Sequence, residues 1–76
     1  MFNLNHPKLT KLAEFEGYGD VMDFLEAVAH DSIVPAICMA DDCEMTAELE
    51  PDQDRGFCET CARNTVKSAL VIAGVI

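Results

Sequence analysis

Four cysteines constrain this chain more than any other feature: Cys38, Cys43, Cys58 and Cys61, spaced C-x4-C-x14-C-x2-C, with no fifth left over. Two close pairs of soft sulfur donors match a tetrahedral site for one zinc ion, which binds four thiolates at about 2.3 Å. The intervening residues suit the task. Asp41 and Asp42 favour a turn between the first two cysteines, because their side chains bond nearby backbone N–H groups. A helix starting at Cys58 would put Cys58 and Cys61 on one face of its first turn, where the partial positive charge of the helix terminus favours thiolate over thiol.

Other uses of four cysteines compete with this one. Two disulfides would suit a small secreted domain, but residues 1–12 contain neither a long apolar run nor a small-residue cleavage site. The expected setting is therefore the cytoplasm, where thiols stay reduced. Iron in place of zinc fits a rubredoxin-like electron carrier or a thiol redox protein, although such sites normally carry C-x2-C in both pairs. Four buried free thiols are the remaining option, and the paired spacing argues against it.

With 76 residues there is room for one domain, here divided into residues 1–35 and a cysteine-bearing part, residues 36–76. A core this small often requires a staple. Structural zinc supplies about 10–16 kcal/mol of apparent binding energy, as much as the whole stability of an ordinary domain, about 5–15 kcal/mol. The cysteine half is expected to unfold without metal. Half the residues are hydrophobic, which excludes a disordered chain. The formal charge is −9, and four thiolates around a divalent ion add to it. Such a molecule repels nucleic-acid backbone and anionic membrane surfaces. The longest apolar stretch, residues 69–76, is far short of the roughly 20 residues that span a bilayer.

The pattern predicts an α+β fold: an N-terminal helical hairpin, a zinc-bound β-hairpin, and a C-terminal helix. Asn5 or His6 caps a first helix with Pro7 in its opening turn. That helix runs to about Glu16, with Leu9, Leu12 and Ala13 inward, Lys8, Lys11 and Glu14 outward, and Gly17 ending it. Asp20 caps a second helix to about His30, whose Val21, Phe24, Leu25 and Val28 form one apolar stripe. Pro35 keeps residues 32–34 extended, and Ala36 and Ile37 lead into Cys38 as a short strand. Residues 44–49 alternate, with Met45, Ala47 and Leu49 inward. Turn-forming residues 50–56 follow, then Gly56-Phe57-Cys58 as a returning strand, closing one β-hairpin. A last helix is expected from Glu59 to about Ala73, with Arg63, Asn64, Lys67 and Ser68 wet and Ala62, Val66, Ala69, Leu70 and Ala73 buried. Its apolar end is expected to pack between the two halves or to cover a partner.

This order of a cysteine loop, a hairpin and a helix opened by C-x-x-C resembles the treble-clef, zinc-ribbon-like class of four-cysteine fingers. Gly56-Phe57-Cys58-Glu59-Thr60-Cys61-Ala62-Arg63 is similar to the second knuckle of DksA/TraR-type fingers. The chain also resembles small bacterial and prophage-encoded proteins in the segments 35–38, 50–56 and 64–70. The resemblance implies a structural zinc ion held by Cys38, Cys43, Cys58 and Cys61, and no polymerase-regulating activity, because residues 1–35 are too short and interrupted at Gly17 and Gly19 for a long coiled coil.

No catalytic constellation is present: there is no glycine-rich phosphate loop, no nucleophile elbow, and a closed four-sulfur shell leaves zinc no position for substrate. His6 and His30 read as helix-end residues rather than ligands. Met22, Met39 and Met45 read as core filling. The acidic run Glu44, Glu48, Glu50, Asp52 and Asp54 is either a solvated face or a surface for a basic partner. The functional expectation is a non-enzymatic, zinc-stabilised protein-interaction or regulatory module. The alternatives are a nucleic-acid-binding finger, with Arg55, Arg63 and Lys67 nearest the metal, and a redox protein. The apolar segment 71–76 makes a homodimer conceivable.

Overall fold

The computed structural model describes residues 4–75. The chain runs α1 (Pro7–Phe15), α2 (Val21–Val28), β1 (Val34–Cys38), β2 (Thr46–Leu49), β3 (Gly56–Cys58), β4 (Arg63–Ser68) and α3 (Ala69–Ala73). The fold is α+β, with the strands forming one curled antiparallel sheet in the order β2-β1-β4-β3.

The helical half follows its sequence signals. His6 is extended at φ −62°, ψ 129°, and its Nδ1 accepts from the Lys8 backbone N–H at 3.1 Å, with Pro7 opening α1. Gly17 adopts φ 89°, and the chain turns as Gly17 N–H reaches Glu14 O and Tyr18 N–H reaches Ala13 O. Asp20 Oδ1 accepts from Met22 N–H at 2.9 Å to start α2. Leu9, Leu12, Ala13, Phe24, Leu25 and Val28 are buried, and the Tyr18 ring rests on Phe24 at 5.4 Å between centroids. One expectation fails here. Lys8 does not face water; it is buried, 8% exposed, because the cysteine-bearing loop covers that side of α1.

The sheet departs from the sequence reading in two ways. First, β2 and β3 do not pair with each other. β2 pairs with β1, Val34 opposite Leu49 and Ile37 opposite Thr46, while β3 pairs with β4, Gly56 opposite Val66. Each pair of cysteines therefore sits in the turn of its own hairpin, and residues 50–55 cross between opposite edges of the sheet. Turn-forming residues reveal where a chain bends, but not which strands flank the bend. Second, the helix expected from Glu59 is replaced by β4. The turn after Cys58 ends in Ala62 at φ 56°, a left-handed conformation that no right-handed helix accommodates. Beyond it Thr65 and Val66, both β-branched, favour a strand, and β4 is hydrogen-bonded on both sides. This strand leaves the similarity to the DksA/TraR-type second knuckle resting on cysteine spacing alone.

Only the end of the expected helix forms. Ser68, fully buried rather than wet, caps α3: its Oγ accepts from Val71 N–H at 3.2 Å. Gly74 at φ 78° ends it, with Gly74 N–H bonded to Val71 O and Val75 N–H to Leu70 O. Leu70, Ile72 and Ala73 pack into the helical core against α1 and β1, as expected of an apolar helix between the two halves.

β1 divides the interior. Val34 and Ile37 join the core built by the three helices, whereas Ala36 and Cys38 join a second cluster with Cys43, Cys58 and Val66. Met45, Ala47 and Leu49 pack against that second cluster, which is the inward side expected of them.

Candidate metal centre

Cys38 ends β1. A turn closed by Cys43 N–H to Ala40 O at 3.1 Å returns the chain, and Cys38 N–H bonds to Met45 O at 2.9 Å, so Cys43 lies beside Cys38. Cys58 ends β3, and a tighter turn brings Ala62 N–H to Cys58 O at 2.7 Å. There the Cys61 N–H points at Cys58 Sγ, 3.4 Å away. The hairpins are joined through β1 and β4, with Cys38 opposite Val66 and Met39 N–H on Thr65 O at 2.8 Å. Both turns consequently emerge at one end of the sheet, and the predicted ligands converge.

All four sulfurs lie within 4.8 Å of one another, none in a disulfide. Cys38 and Cys61 are 3.8 Å apart and Cys43 and Cys58 3.7 Å. A tetrahedron with metal–sulfur bonds of about 2.3 Å has edges of about 3.8 Å, so these two opposite edges match one. The chemistry of the donor set fits as well: four soft sulfurs suit zinc or iron and disfavour magnesium or calcium. Cys38, Cys43 and Cys58 are buried and Cys61 is partly exposed.

Close packing of four thiols divides their acidities. Burial pushes the Cys38 thiol up, but hydrogen bonds with the Thr65 hydroxyl, the Ala40 backbone and the neighbouring thiols outweigh it and bring Cys38 down to about 6. Cys61 is pushed up to about 12, first by its hydrogen bond with Cys43 and then by burial, against a weaker opposing pull from Arg63. Cys38 thus ionises readily, whereas Cys43 and Cys61 are pushed up, a push that a divalent cation would offset.

The surroundings contain groups that the sequence did not expose. Thr65 Oγ1 lies 3.0 Å from Cys38 Sγ; with residue 65 expected on a helix, nothing pointed to it. The Lys8 ammonium donates to the backbone carbonyl of Cys43. One turn further along α1, Lys11 pairs with Glu44 at 2.7 Å, both half exposed. Among the described residues neither histidine joins the sulfurs: His6 is occupied in capping α1, and His30 is exposed just beyond α2. Glu44, Glu48, Glu50, Asp52 and Asp54 all face solvent. No helix among the described residues is long and apolar enough to cross a membrane.

Comparison with known proteins finds no matching family model, no matching curated protein and no matching solved structure. The site therefore stands on its own geometry.

Proposed function

We propose that this chain is a small zinc protein whose ion, held by Cys38, Cys43, Cys58 and Cys61, is structural, and whose acidic surface serves protein–protein interaction or regulation. The observation that carries the metal reading is the convergence of four sulfurs from two separate hairpins to within 4.8 Å of one another, with two opposite edges at 3.8 and 3.7 Å. Four protein ligands complete the shell and leave no open position for water or substrate, which favours a non-catalytic role. Of the two related finger shapes, the zinc ribbon is the better description, since each cysteine pair lies on its own antiparallel hairpin and no helix carries the second pair. Such a chain belongs in a reducing compartment, the cytoplasm.

The charge of −9 and the exposed carboxylates around the metal end favour a basic protein partner over nucleic acid or membrane. A homodimer through the C-terminal apolar segment would draw on Val71 and Val75, which keep surface while Leu70, Ile72 and Ala73 are used internally.

Metal analysis of protein purified without added metal tests the first half. One zinc per chain, with all four thiols shielded from a thiol reagent until a chelator is added, is the expected result. A red, iron-loaded protein would instead favour the rubredoxin-like redox reading, and a metal-free chain with linked sulfurs would refute both. Binding to a basic protein partner that weakens with salt tests the second half; retention of DNA or RNA in a gel shift at low salt would reverse the ordering.

A further inference from the structure

Lysine is rarely buried, and Lys8 is 8% exposed with its ammonium donating to the carbonyl of Cys43. A buried cation bonded to a neutral carbonyl is a poor arrangement unless negative charge lies close by. The exposed carboxylates of Asp41, Asp42 and Glu44 share a cleft with Lys8, and Glu44 feels its charge, but solvent screens them and the larger pull on Glu44 is its bond to Lys11. Lys8 grips the carbonyl of one of the candidate ligand residues, and four thiolates around a divalent ion would place a formal charge of about −2 beside it. Arg63, which bonds to Cys61, is exposed.

Resting on the metal reading above, we propose that Lys8 is the counter-charge of the metal–thiolate centre, and that through it metal loading is coupled to the docking of the N-terminal helix. The placement serves both purposes. The carbonyl that Lys8 grips belongs to a ligand residue, so the bond also fixes the turn presenting Cys43. Lys8 lies one residue before Leu9, which is fully buried in the helical core. An ion entering between the two hairpins thus acquires a partner on α1, and a displaced α1 removes charge compensation from the ion.

The test uses the full chain with Zn2+ as probe, in competition with a chromophoric chelator. Lys8→Met removes both charge and donor, Lys8→Gln keeps a donor without charge, and Lys11→Met removes an exposed charge from the same helix. Both Lys8 variants should bind zinc about tenfold more weakly or worse, the usual effect of removing an outer-shell partner, while Lys11→Met stays within about threefold of wild type. The iron-substituted protein supplies a readout that packing alone does not move. The reduced four-thiolate site carries one more negative charge than the oxidised site, so losing Lys8 should shift its midpoint potential to more negative values. Wild-type zinc affinity and an unchanged potential in Lys8→Gln would reduce Lys8 to a hydrogen-bonding prop and overturn the proposal. Should neither Lys8 variant fold, hydrogen exchange on the wild type decides: α1 amides that slow on zinc addition support the coupling, and α1 amides indifferent to zinc overturn it. A wild type that binds no zinc would fail the underlying metal reading first, and metal content reports that separately.

Discussion

Gly56 is where the curled sheet closes on itself, and replacing it tests that closure. Its strand lies at one edge and Leu49 lies on the strand at the other, yet a Cβ added to Gly56 would sit 2.6 Å from Leu49 Cδ1 and 3.2 Å from Val66 Cβ. No positive φ is involved, so the requirement is for space alone. In a strand that tolerates it, Gly→Ala stabilises by about 0.4–1 kcal/mol through the unfolded chain. Overpacking opposes this by about 1–3 kcal/mol. Leu49 can rotate away, at the expense of part of the roughly 1.5–3 kcal/mol that burying a leucine contributes. Val66 is itself fully buried on β4, so its Cβ cannot. We expect Gly56→Ala to destabilise by about 1–2 kcal/mol, with each kcal/mol lowering the melting temperature by about 4–8 °C for a domain of this size. The assay is urea unfolding followed by far-ultraviolet circular dichroism at fixed excess zinc. The double variant with Leu49→Ala should recover about 1 kcal/mol relative to the sum of the singles. A Gly56→Ala protein as stable as wild type, or strict additivity with Leu49→Ala, would refute the contact between the sheet's two edges.

Other consequences are open to measurement. Ser68→Ala removes the Oγ that caps α3 and that donates to Pro51 O; the loss should be about 2 kcal/mol, read as a lower urea midpoint with unchanged slope. Chelating the metal should collapse the hydrogen-exchange protection of the β1–β4 amides, because the second core is small and half sulfur; full protection without metal would remove the ion's structural role. Glu44 has its carboxyl held below the ordinary range by the Lys11 hydrogen bond and then by Lys11's charge. Its contribution is therefore present above the ordinary carboxylate pKa and lost as pH falls through the lower folded value. Glu44→Gln should flatten the acid limb of the stability–pH curve slightly at low salt and leave it unchanged at high salt, since both partners are solvent-screened.

Some of this protein was fixed by local chemistry and could be read without coordinates. The caps at His6 and Asp20, the stripe Phe24–Leu25–Val28, and the inward Met45, Ala47 and Leu49 each depend on residues within one or two turns of chain. The four sulfurs were legible for a related reason: close pairs of soft donors point to a common target, and the structure brings all four together.

Strand partnership, by contrast, is non-local, and only the tertiary structure decided it. Residues 50–56 announce a bend equally well for a hairpin or for a crossover. The crossover prevails because pairing β1 with β4 puts both cysteine turns at one end of the sheet. Segment 63–68 contains one apolar residue, Val66, and so carries no period that separates a helix from a strand. The strand prevails because the turn at Ala62 forbids a helix there and β1 and β3 offer hydrogen bonds on either side. Lys8 belongs with these cases: its sequence neighbours place it on a wet helix face, and only a loop thirty-five residues later buries it over the sulfurs' end of the molecule.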